Sequence, residues 1–376
     1  MYLNWVAKNR FGPSHKKKKF KLFNHKLSSF SITLTDWYRG HKRDLPWRGS
    51  SDPYPVWLSE IILQQTRVEQ GLPYWERFME AFPKIADLAT ASEETVLRLW
   101  QGLGYYSRAR NLHATAKYIH HQLEGSFPTT YAEIIKLKGI GPYTAAAISS
   151  ICFDEPKPVV DGNVFRFASR YFGIATDIAS SGARVKFEEV LSAHIPKTDP
   201  GNFNQALMEF GARVCSPSPH CEDCVFRLDC FAFQQNKQKA LPVKSKKVKV
   251  KKRFLNYLVI RYKDQLYFKQ RIEKDIWHGL YDFALVEGQL DEEAVLVSIQ
   301  SILENLPFTL EDVSETKTHL LSHQRLLARF YHVNVAQPLS KTVVKNTKIH
   351  PFSIEELLNL PKPKLIVNHL EERGII

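Results

Sequence analysis

The sequence lacks any long apolar segment. None of its 376 residues belongs to an uncharged apolar run of about 18 residues, the length that a membrane-spanning helix needs. The N-terminus also lacks the apolar core of a signal peptide, because Met1–Val6 is followed by Lys8, Arg10 and the lysine run 16–19. The chain is 44% hydrophobic and 24% charged, which excludes collagen, coiled coil and overall disorder. At about 100–200 residues per domain, we expect two or three globular domains.

Acidic residues are missing from two lysine-rich segments. Residues 8–26 hold eight Lys and Arg, residues 237–253 hold nine, and neither contains Asp or Glu. The net charge is +13, yet the rest of the chain contains 35 basic and 39 acidic residues. Such local positive charge suits a polyanion, because each neutralised phosphate releases counterions. A solvated tail and a solvated linker are an equally weighted alternative.

Cysteine is scarce, and four of the five cysteines fall within sixteen residues. Cys215, Cys221, Cys224 and Cys230 have the spacing C-x5-C-x2-C-x5-C, whereas Cys152 lies in an apolar run and is expected in the core. Clustered thiols in a chain without a secretory signal favour a metal site over disulfides. Four thiolates suit zinc or an iron–sulfur cluster. The single C-x2-C pair favours iron–sulfur, since a zinc ribbon usually has two; unliganded loop cysteines are the alternative.

Helical periodicity dominates the chain up to the cysteines. Apolar residues recur at spacings of three and four, for example at Trp57, Ile61 and Ile62, behind a helix start at Pro53. Gly, Pro and Asn separate the helical segments. The resulting predictions are a basic, disordered arm over residues 1–26, a helical domain over 27–236 and a basic linker over 237–253.

The period of the pattern changes after the linker. Phe254–Tyr262 and Gln265–Gln270 are rich in β-branched and aromatic residues and are separated by two polar residues, which predicts a hairpin. Leu326–Val335 alternates like a further strand, and Glu292–Leu303 has helical spacing. Residues 254–376 are therefore predicted to form a separate α+β domain.

Two glycines precede a predicted helix in Leu137-Lys-Gly-Ile-Gly-Pro-Tyr-Thr-Ala145. Gly139 and Gly141 allow a tight turn, and the helix is expected to begin at Pro142. Backbone N–H groups at such a helix N-terminus can receive a phosphate, and the turn is also a candidate site for a monovalent cation. An ordinary helix–helix turn is the alternative.

Val159-Val-Asp-Gly-Asn-Val164 stands at the start of the next predicted helix. An Asp there is most often a helix N-cap, although the following Gly162 weakens the first turn. Together with the glycine turn and the four cysteines, this segment resembles the helix-hairpin-helix DNA glycosylases of the endonuclease III superfamily, over about residues 30–232. That family has the spacing C-x6-C-x2-C-x5-C, so this chain has one residue fewer in the first gap. The resemblance implies a [4Fe–4S] cluster on Cys215, Cys221, Cys224 and Cys230, with a structural or DNA-docking role.

Two further features resemble the adenine glycosylases of the MutY family, which act opposite 8-oxoguanine. The first is the run Val56-Trp-Leu-Ser-Glu-Ile-Ile-Leu-Gln-Gln-Thr66. The second is Tyr143, which stands where the glycosylase/lyases of the superfamily carry a nucleophilic lysine. Lysine can form a Schiff base with the sugar, whereas a phenol cannot. The resemblance therefore implies a monofunctional enzyme of base excision repair that hydrolyses the N-glycosidic bond and leaves an abasic site.

Two carboxylates are the candidates for this chemistry. Releasing adenine requires a proton on the base and stabilisation of an oxocarbenium ion, and paired carboxyl groups in different environments supply both in glycoside hydrolysis. Glu60 has apolar sequence neighbours, which raise a carboxyl pKa, so we assign it as the general acid at adenine N7. Asp161 is assigned as the ionised group that stabilises the oxocarbenium ion or briefly bonds to it, with Tyr143 and Asn163 orienting the pair. Without the resemblance, Glu60 would be interpreted as an exposed helix carboxylate.

The resemblance also implies contacts to the base and to DNA. The target base must leave the stack, and the gap that it leaves must be filled. Gln65 and Tyr105 correspond to the family's wedge residues, which enter the helix beside the lesion. Gln205 corresponds to a residue whose amide recognises the adenine edge, and Tyr106 is expected in the core. The remaining correspondences are an adenine pocket at Arg43, Trp47, Arg48 and Leu63, and DNA contacts at Thr66, Gly139 and Gly141.

The C-terminal domain resembles the Nudix-like domain of the same family, including Ile276-Trp-His-Gly-Leu-Tyr-Asp-Phe283. Its sequence has no glutamate-rich Nudix box, which argues against nucleotide hydrolysis. His319-Leu-Leu-Ser-His323 corresponds to the segment that recognises 8-oxoguanine, usually Phe-Ser-His. The resemblance implies that Leu321 wedges between bases without stacking, that Ser322 bonds the lesion, and that His323 contacts a phosphate or the 2-amino group. Two surface histidines in a loop are the alternative.

These features together predict a multidomain protein, with an all-α helix-hairpin-helix glycosylase domain that carries a [4Fe–4S] cluster loop, followed by an α+β Nudix-like domain. We expect a monomer in the bacterial cytoplasm and nucleoid that binds double-stranded DNA with adenine opposite 8-oxoguanine or guanine. A pyrimidine-specific glycosylase/lyase is one alternative, disfavoured by Tyr143 and the second domain. A non-catalytic iron–sulfur DNA-binding protein is another, disfavoured by Glu60 and Asp161.

Overall fold

The computed structural model describes residues 29–245 and 250–376. The predicted basic arm, residues 1–26, lies outside the described residues, as does the part of the predicted linker over 246–249. Within the described residues, no helix combines the length and the hydropathy needed to cross a bilayer.

Contacts between residues divide the described chain into two compact units. The first unit holds residues 29–60 and 127–245, and the second holds residues 61–126 and 250–376. Residues 61–126, which fall inside the predicted helical domain, therefore group by contact with the C-terminal segment.

Sixteen helices occur in the described residues, and most begin at a residue that the sequence marks as a start. Pro142 is the first helical residue of its helix, and Ser92 and Asp161 cap theirs with their side chains. In chain order the helices are α1 (residues 29–41), α2 (Pro53–Ile62), α3 (Val68–Ala81), α4 (Ile85–Thr90), α5 (Glu93–Leu99), α6 (Ser107–Gln122), α7 (Tyr131–Ile134), α8 (Pro142–Phe153), α9 (Gly162–Phe172), α10 (Ala183–Ser192), α11 (Pro200–Arg213), α12 (Phe231–Gln234), α13 (Glu292–Ile302), α14 (Lys341–Thr347), α15 (Ile354–Asn359) and α16 (Lys364–Glu372).

The core of the first unit is aromatic and lies where α1, α9 and α11 meet. Phe30 packs between several rings, including Phe167 and Phe226, and all three side chains are buried. Gly211 lets α11 approach α9 closely, since an added Cβ would lie 2.7 Å from the carbonyl oxygen of Asn163. This packing places the start of α9 against the middle of α11.

The second unit combines α3–α6 with the C-terminal sheet and its helices. Trp100, fully buried at the end of α5, meets Phe78 of α3 edge to face, with 5.8 Å between ring centroids. The strands of the sheet are β1 (Lys251–Tyr262), β2 (Gln265–Gln270), β3 (Tyr281–Asp282), β4 (Ala284–Glu287), β5 (Phe308–Val313), β6 (Lys317–Leu320), β7 (Gln324–Val335) and β8 (His350–Ser353).

Within residues 250–376 the eight strands form one mixed sheet whose main path runs β3-β2-β1-β7-β5. β4 also pairs with β1, β6 with β7 and β8 with β2. The long central strands β1 and β7 are parallel, with Lys251 opposite Gln324, and the other pairings are antiparallel. α13 and α14 contribute Val295, Ile299 and Val343 to the core against this sheet. The predicted hairpin, the strand ending at Val335 and the helix from Glu292 are confirmed.

Candidate functional site

Glu60 stands near the end of α2 in the first unit. Its flanking residues Trp57 and Ile61 are buried, and Glu60 itself is only partly exposed. Burial raises the pKa of its carboxyl to about 7, and nearby Asp161 raises it further, whereas a hydrogen bond from Tyr143 and the charge of Arg48 oppose the shift. Glu60 is therefore a carboxyl that holds its proton close to neutral pH.

Asp161 lies at the N-terminus of α9 and uses its two oxygens differently. Oδ1 accepts a hydrogen bond from the backbone N–H of Val164 at 2.7 Å, and Oδ2 accepts one from Asn163 Nδ2 at 2.9 Å. Asp161 is therefore the N-cap of α9, which is the simpler role that the sequence suggested. Its negative charge also acts on Glu60. Burial raises the pKa of its carboxyl, while the bonds from Val164 and Asn163 oppose that shift.

Tyr143, the second residue of α8, lies beside the two carboxyls. Its hydroxyl hydrogen-bonds Glu60 and also lies 2.9 Å from Met208 Sδ of α11. Burial raises the pKa of the phenol well above its ordinary value, and the charges of Glu60 and Asp161 add to the shift. Tyr143 is therefore a neutral donor beside two acidic groups, and the structure brings Glu60, Tyr143, Asp161 and Asn163 together in one place.

Arg166 connects this site with the cysteine loop. Its Nη2 donates to Asn163 Oδ1 at 2.9 Å and to Gly211 O at 2.6 Å, and its Nε donates to Cys215 O at 2.7 Å. Asn163 consequently has its amide oxygen bound to Arg166 and its amide nitrogen bound to Asp161. The sequence did not single out Arg166, whose place one turn after Asp161 was the only available signal.

The four predicted metal ligands surround one cavity between α11 and α12. Cys215, Cys221, Cys224 and Cys230 all line it, and the buried Arg170 closes one side. Arg170 Nη1 lies 3.5 Å from Cys215 Sγ and donates to a loop carbonyl at 2.7 Å. In the described parts of the chain, no three His, Cys, Asp or Glu side chains converge as on a single metal ion. A set of four thiols around one cavity fits a cluster of several irons.

The predicted adenine-pocket arginines bind a carboxylate that the sequence analysis missed. Glu209 of α11 is 1% exposed and accepts two bonds from Arg43, at 2.8 and 2.9 Å, and one from Arg48 at 2.7 Å. Although burial opposes it, the bonds from Arg43 and Arg48 lower the pKa of Glu209 to about 2. The only signal in the sequence was an acidic residue within an otherwise apolar segment.

Gln205 and Trp47, the other predicted pocket residues of the first unit, are also packed within that unit. Gln205 Oε1 accepts a hydrogen bond from the buried Tyr38 hydroxyl at 2.9 Å, and Trp47 is 8% exposed. Gly139 has a φ of 79°, which favours glycine, and Gly141 caps α8 from the turn between α7 and α8. The predicted glycine turn between two helices is therefore present, and it ends at the N-terminus of α8.

The predicted wedge residues belong to the second unit. Tyr105 is 40% exposed, and its hydroxyl lies 2.7 Å from Gln65 Oε1 and 2.7 Å from Ser322 Oγ. Both Gln65 and Tyr105 have left-handed backbones, with φ of 57° and 47°, in a region that costs a non-glycine residue energy. Ser322 Oγ is in turn 3.2 Å from His323 Nδ1. The structure thus links both wedge residues to the predicted 8-oxoguanine segment.

Four neighbouring residues complete this second group. Tyr106 is 3% exposed, which confirms the expectation that it is a core residue. Leu63 and Leu321 are half-buried, and Leu321 lines an open cavity of about 400 Å³ with Tyr105. Thr66 Oγ1 lies 3.4 Å from Gln64 O. Gln65, Thr66, Tyr105, Leu63, Leu321, Ser322 and His323 thus all fall in the second unit.

Both halves of the chain are similar to known protein families. Residues 58–193 match the family described as HhH-GPD superfamily base excision DNA repair protein, and residues 256–372 match the NUDIX domain family. The adenine DNA glycosylase of Buchnera aphidicola subsp. Schizaphis graminum is 32% identical over 305 residues, which cover 81% of this chain and 83% of that protein. The chain belongs to the adenine DNA glycosylase family.

An animal member of this family and two solved structures are also similar to part of the chain. The Mus musculus adenine DNA glycosylase is 43% identical over 220 residues, covering 56% of this chain and 42% of that protein. A solved thermostable thymine-DNA glycosylase is 27% identical with a TM-score of 0.52, covering 56% of this chain and 98% of that one. An endonuclease III–DNA complex, 20% identical with a TM-score of 0.50, covers 57% and 99% and shows the same fold.

Family membership confirms the predicted resemblance and the predicted fold class. The chain is a DNA glycosylase, which is a hydrolase of N-glycosyl bonds, and it is a DNA-binding protein of base excision repair.

Proposed function

We propose that this chain is a monofunctional glycosylase that removes adenine opposite 8-oxoguanine or guanine from double-stranded DNA. The observation that carries the proposal is the pair of carboxyls in the first unit, Glu60 and Asp161, whose pKa values are both raised by burial. Glu60 has the pKa of about 7 that a general acid needs at neutral pH. The names of the curated relatives point to adenine as the released base.

Glu60 starts the reaction by giving its proton to adenine N7. The electrons of the bond between C1′ and N9 then leave with the protonated base, and the sugar becomes an oxocarbenium ion. Asp161 supplies the negative charge that stabilises this cation, because the N–H of Val164 and the amide of Asn163 favour its ionised form.

Water completes the reaction. Glu60, now ionised, accepts a proton from the water that attacks C1′, so the acid of the first step becomes the base of the second. The products are free adenine and an abasic site. Tyr143 orients Glu60 through its hydrogen bond. As a phenol it provides no amine for a Schiff base, which supports hydrolysis without strand cleavage.

Recognition of the opposite base is assigned to Ser322, because the hydrogen bonds around it fix where its proton goes. The Tyr105 hydroxyl has one proton and lies 2.7 Å from two oxygens, of which Gln65 Oε1 can only accept. Tyr105 shares this proton between Gln65 Oε1 and Ser322 Oγ, so Ser322 accepts from Tyr105. Ser322 then directs its own proton to His323 Nδ1 at 3.2 Å, and its remaining lone pair faces DNA.

This arrangement distinguishes the two purines chemically. Guanine N7 is an acceptor, whereas N7 of 8-oxoguanine carries a hydrogen and is a donor. A Ser322 oxygen that can only accept suits 8-oxoguanine and is mismatched with guanine. We therefore infer a preference for adenine opposite 8-oxoguanine.

We also propose that Cys215, Cys221, Cys224 and Cys230 hold a [4Fe–4S] cluster. The bound cluster would supply four iron–thiolate bonds that cross-link the loop between α11 and α12. Arg170, which contacts Cys215 Sγ and the carbonyls of Ser216 and Pro217 in that loop, orients the loop from α9. The turn at Gly139 and Gly141 is proposed as the phosphate contact, with a monovalent cation at its carbonyls.

A single-turnover assay tests the proposal. A duplex with adenine opposite 8-oxoguanine is incubated with excess enzyme, and strand breaks are counted with and without alkali. We expect breaks only after alkali, and we expect Glu60→Gln and Asp161→Asn to slow their formation strongly, whereas Glu189→Gln, at an exposed carboxyl of α10, keeps the wild-type rate. Breaks without alkali would make the enzyme a lyase, and binding without base loss would make it a DNA-binding protein.

A further inference from the structure

One guanidinium joins the two backbone segments that carry the wedge residues Gln65 and Tyr105. Arg108, the second residue of α6, directs both terminal nitrogens at backbone carbonyls of the same unit. Its donations are Nη1 to Ile61 O at 2.8 Å, to Ile62 O at 3.1 Å and to Gln64 O at 2.6 Å, and Nη2 to Leu103 O at 3.3 Å and to Gly104 O at 3.4 Å.

The carbonyls that Nη1 binds include those of the last two residues of α2. The last four carbonyls of a helix have no partner within the helix, and a cation near them is favourable. Arg108 supplies both the donors and the charge at Ile61 and Ile62. Burial lowers the pKa of Arg108 only to about 10, so the side chain remains charged at neutral pH.

Each wedge residue comes directly after a carbonyl that Arg108 binds. Gln64 precedes Gln65, and Gly104 precedes Tyr105. The left-handed backbones of Gln65 and Tyr105 persist only where the surroundings fix them. Arg108 fixes the peptide immediately before each one.

Aromatic rings fix the guanidinium itself. The Arg108 Cζ atom lies 5.1 Å from the ring centroid of the buried Trp100 and 5.6 Å from that of Tyr105. Such contacts use the flat face of the guanidinium, while its edge donates to the carbonyls. A lysine ammonium has neither the flat face nor donors that can span two loops.

We propose that Arg108 is the positioning residue that sets the separation of Gln65 and Tyr105, and that it thereby controls recognition of the opposite base. This inference rests on the proposed function of the wedge residues and of Ser322. It assigns to Arg108 a contribution to specificity, since a shifted Tyr105 hydroxyl no longer donates to Ser322 Oγ.

The experiment compares Arg108→Lys with Arg98→Lys in the full-length enzyme. Arg98 is a matched control, because it is an exposed arginine of the same unit whose Nε donates to one carbonyl, Leu358 O, at 2.9 Å. Single-turnover rates of adenine release are measured opposite 8-oxoguanine and opposite guanine, and their ratio is taken within one preparation. That ratio does not depend on the fraction of enzyme that is folded, so a general loss of stability leaves it unchanged.

We expect Arg108→Lys to lower the ratio, by about 10- to 100-fold, as small misplacements of positioning groups do. Arg98→Lys keeps the wild-type ratio. If Arg108→Lys is not recovered as soluble enzyme, Arg108→Gln serves instead, since it retains amide donors and loses the fork. An unchanged ratio in either Arg108 variant overturns the inference.

A double variant separates positioning from stability. If Arg108 acts through Tyr105, then Arg108→Lys added to Tyr105→Phe lowers the ratio no further. Additive losses would contradict the inference. A wild-type enzyme that shows no preference for 8-oxoguanine would instead contradict the proposed function, so the two failures are distinguishable.

Discussion

The hydroxyl oxygens of Tyr105 and Ser322 lie 2.7 Å apart, although 217 positions separate them in the sequence. Tyr105 follows the turn after α5, and Ser322 lies between β6 and β7. The contact ties a wedge residue to the segment that recognises the opposite base. Removing either hydroxyl therefore tests whether the two residues act together in recognising the opposite base.

We expect Tyr105→Phe to reduce discrimination between 8-oxoguanine and guanine. Without the Tyr105 hydroxyl, Ser322 loses the donor that orients it, and its own proton can then turn to guanine N7 as readily as a lone pair accepts from 8-oxoguanine. Leaving a buried acceptor without a donor costs about 1–3 kcal/mol, or about 5- to 150-fold in the rate ratio. Tyr118→Phe, at a half-exposed tyrosine of α6, is the control and should leave the ratio unchanged. A Tyr105→Phe enzyme with the wild-type ratio would contradict the proposed proton arrangement.

The rate of base release should fall as pH rises through about 7. The pKa of Glu60 is raised to about 7 by burial, so the protonated general acid is present below that pH and is lost above it. Single-turnover rates from pH 5.5 to 9 would show the decline. Glu60→Gln should remove this pH dependence and slow release by about 10²- to 10⁴-fold, the usual contribution of a general acid. A flat wild-type profile would exclude Glu60 as the acid.

The same pKa shift predicts the direction of a stability change. A carboxyl whose folded pKa exceeds its unfolded value binds more protons in the folded state, so stability falls as pH rises between those values. We expect Glu60→Gln to be more stable than the wild type above pH 7 and to lose that advantage near pH 4. Urea unfolding at both pH values measures the difference, with Glu189→Gln as the control.

Glu209→Gln should destabilise the enzyme by about 3–5 kcal/mol, because it removes the partner of two partly buried arginines. The folded pKa of Glu209 is lowered to about 2, so its contribution is present above the unfolded value near 4.5 and is lost as pH falls toward 2. Unfolding midpoints of Glu209→Gln and Glu189→Gln at pH 7 provide the comparison. Equal midpoints would show that Arg43 and Arg48 need no carboxylate partner.

Iron analysis separates the two metal interpretations of the cysteine loop. We expect purified protein to contain four irons and four inorganic sulfides per chain, and Cys230→Ser to lose them. Cys152→Ser, at a cysteine of α8 outside the loop, should keep the wild-type content. One zinc per chain, in place of iron, would contradict the proposed cluster.

Local features of the fold could be predicted from the sequence, because their causes are local. Proline at the first helical position sets the start of α8, and Asp161 caps α9. The hairpin of β1 and β2 follows from two β-rich segments with a short polar turn. The parallel pairing of β1 with β7 could not be predicted, since no local pattern indicates which distant strand lies beside another.

The residues of the candidate site that stand in a family motif could be predicted from the sequence. The residues that position other residues could not. Glu60, Tyr143 and Asp161 stand in recognisable motifs, and their roles remain predictions. Arg166 and Arg108 were missed, because an arginine on a helix has no sequence signal for the carbonyls that it binds. The grouping of residues 61–126 with the C-terminal segment was also missed, since it depends on tertiary contacts alone.

The division of the chain has a consequence for the order of its synthesis. The first unit is assembled from residues 29–60 and 127–245, so its core cannot close when Phe30 leaves the ribosome. Phe167 and Phe226, which pack on Phe30, emerge only after the whole segment 61–126. At about 5–20 residues per second, Glu60 therefore waits several seconds for the segment that contains Asp161. During that interval Phe30 and the other apolar side chains of α1 lack the core partners that the later segment supplies.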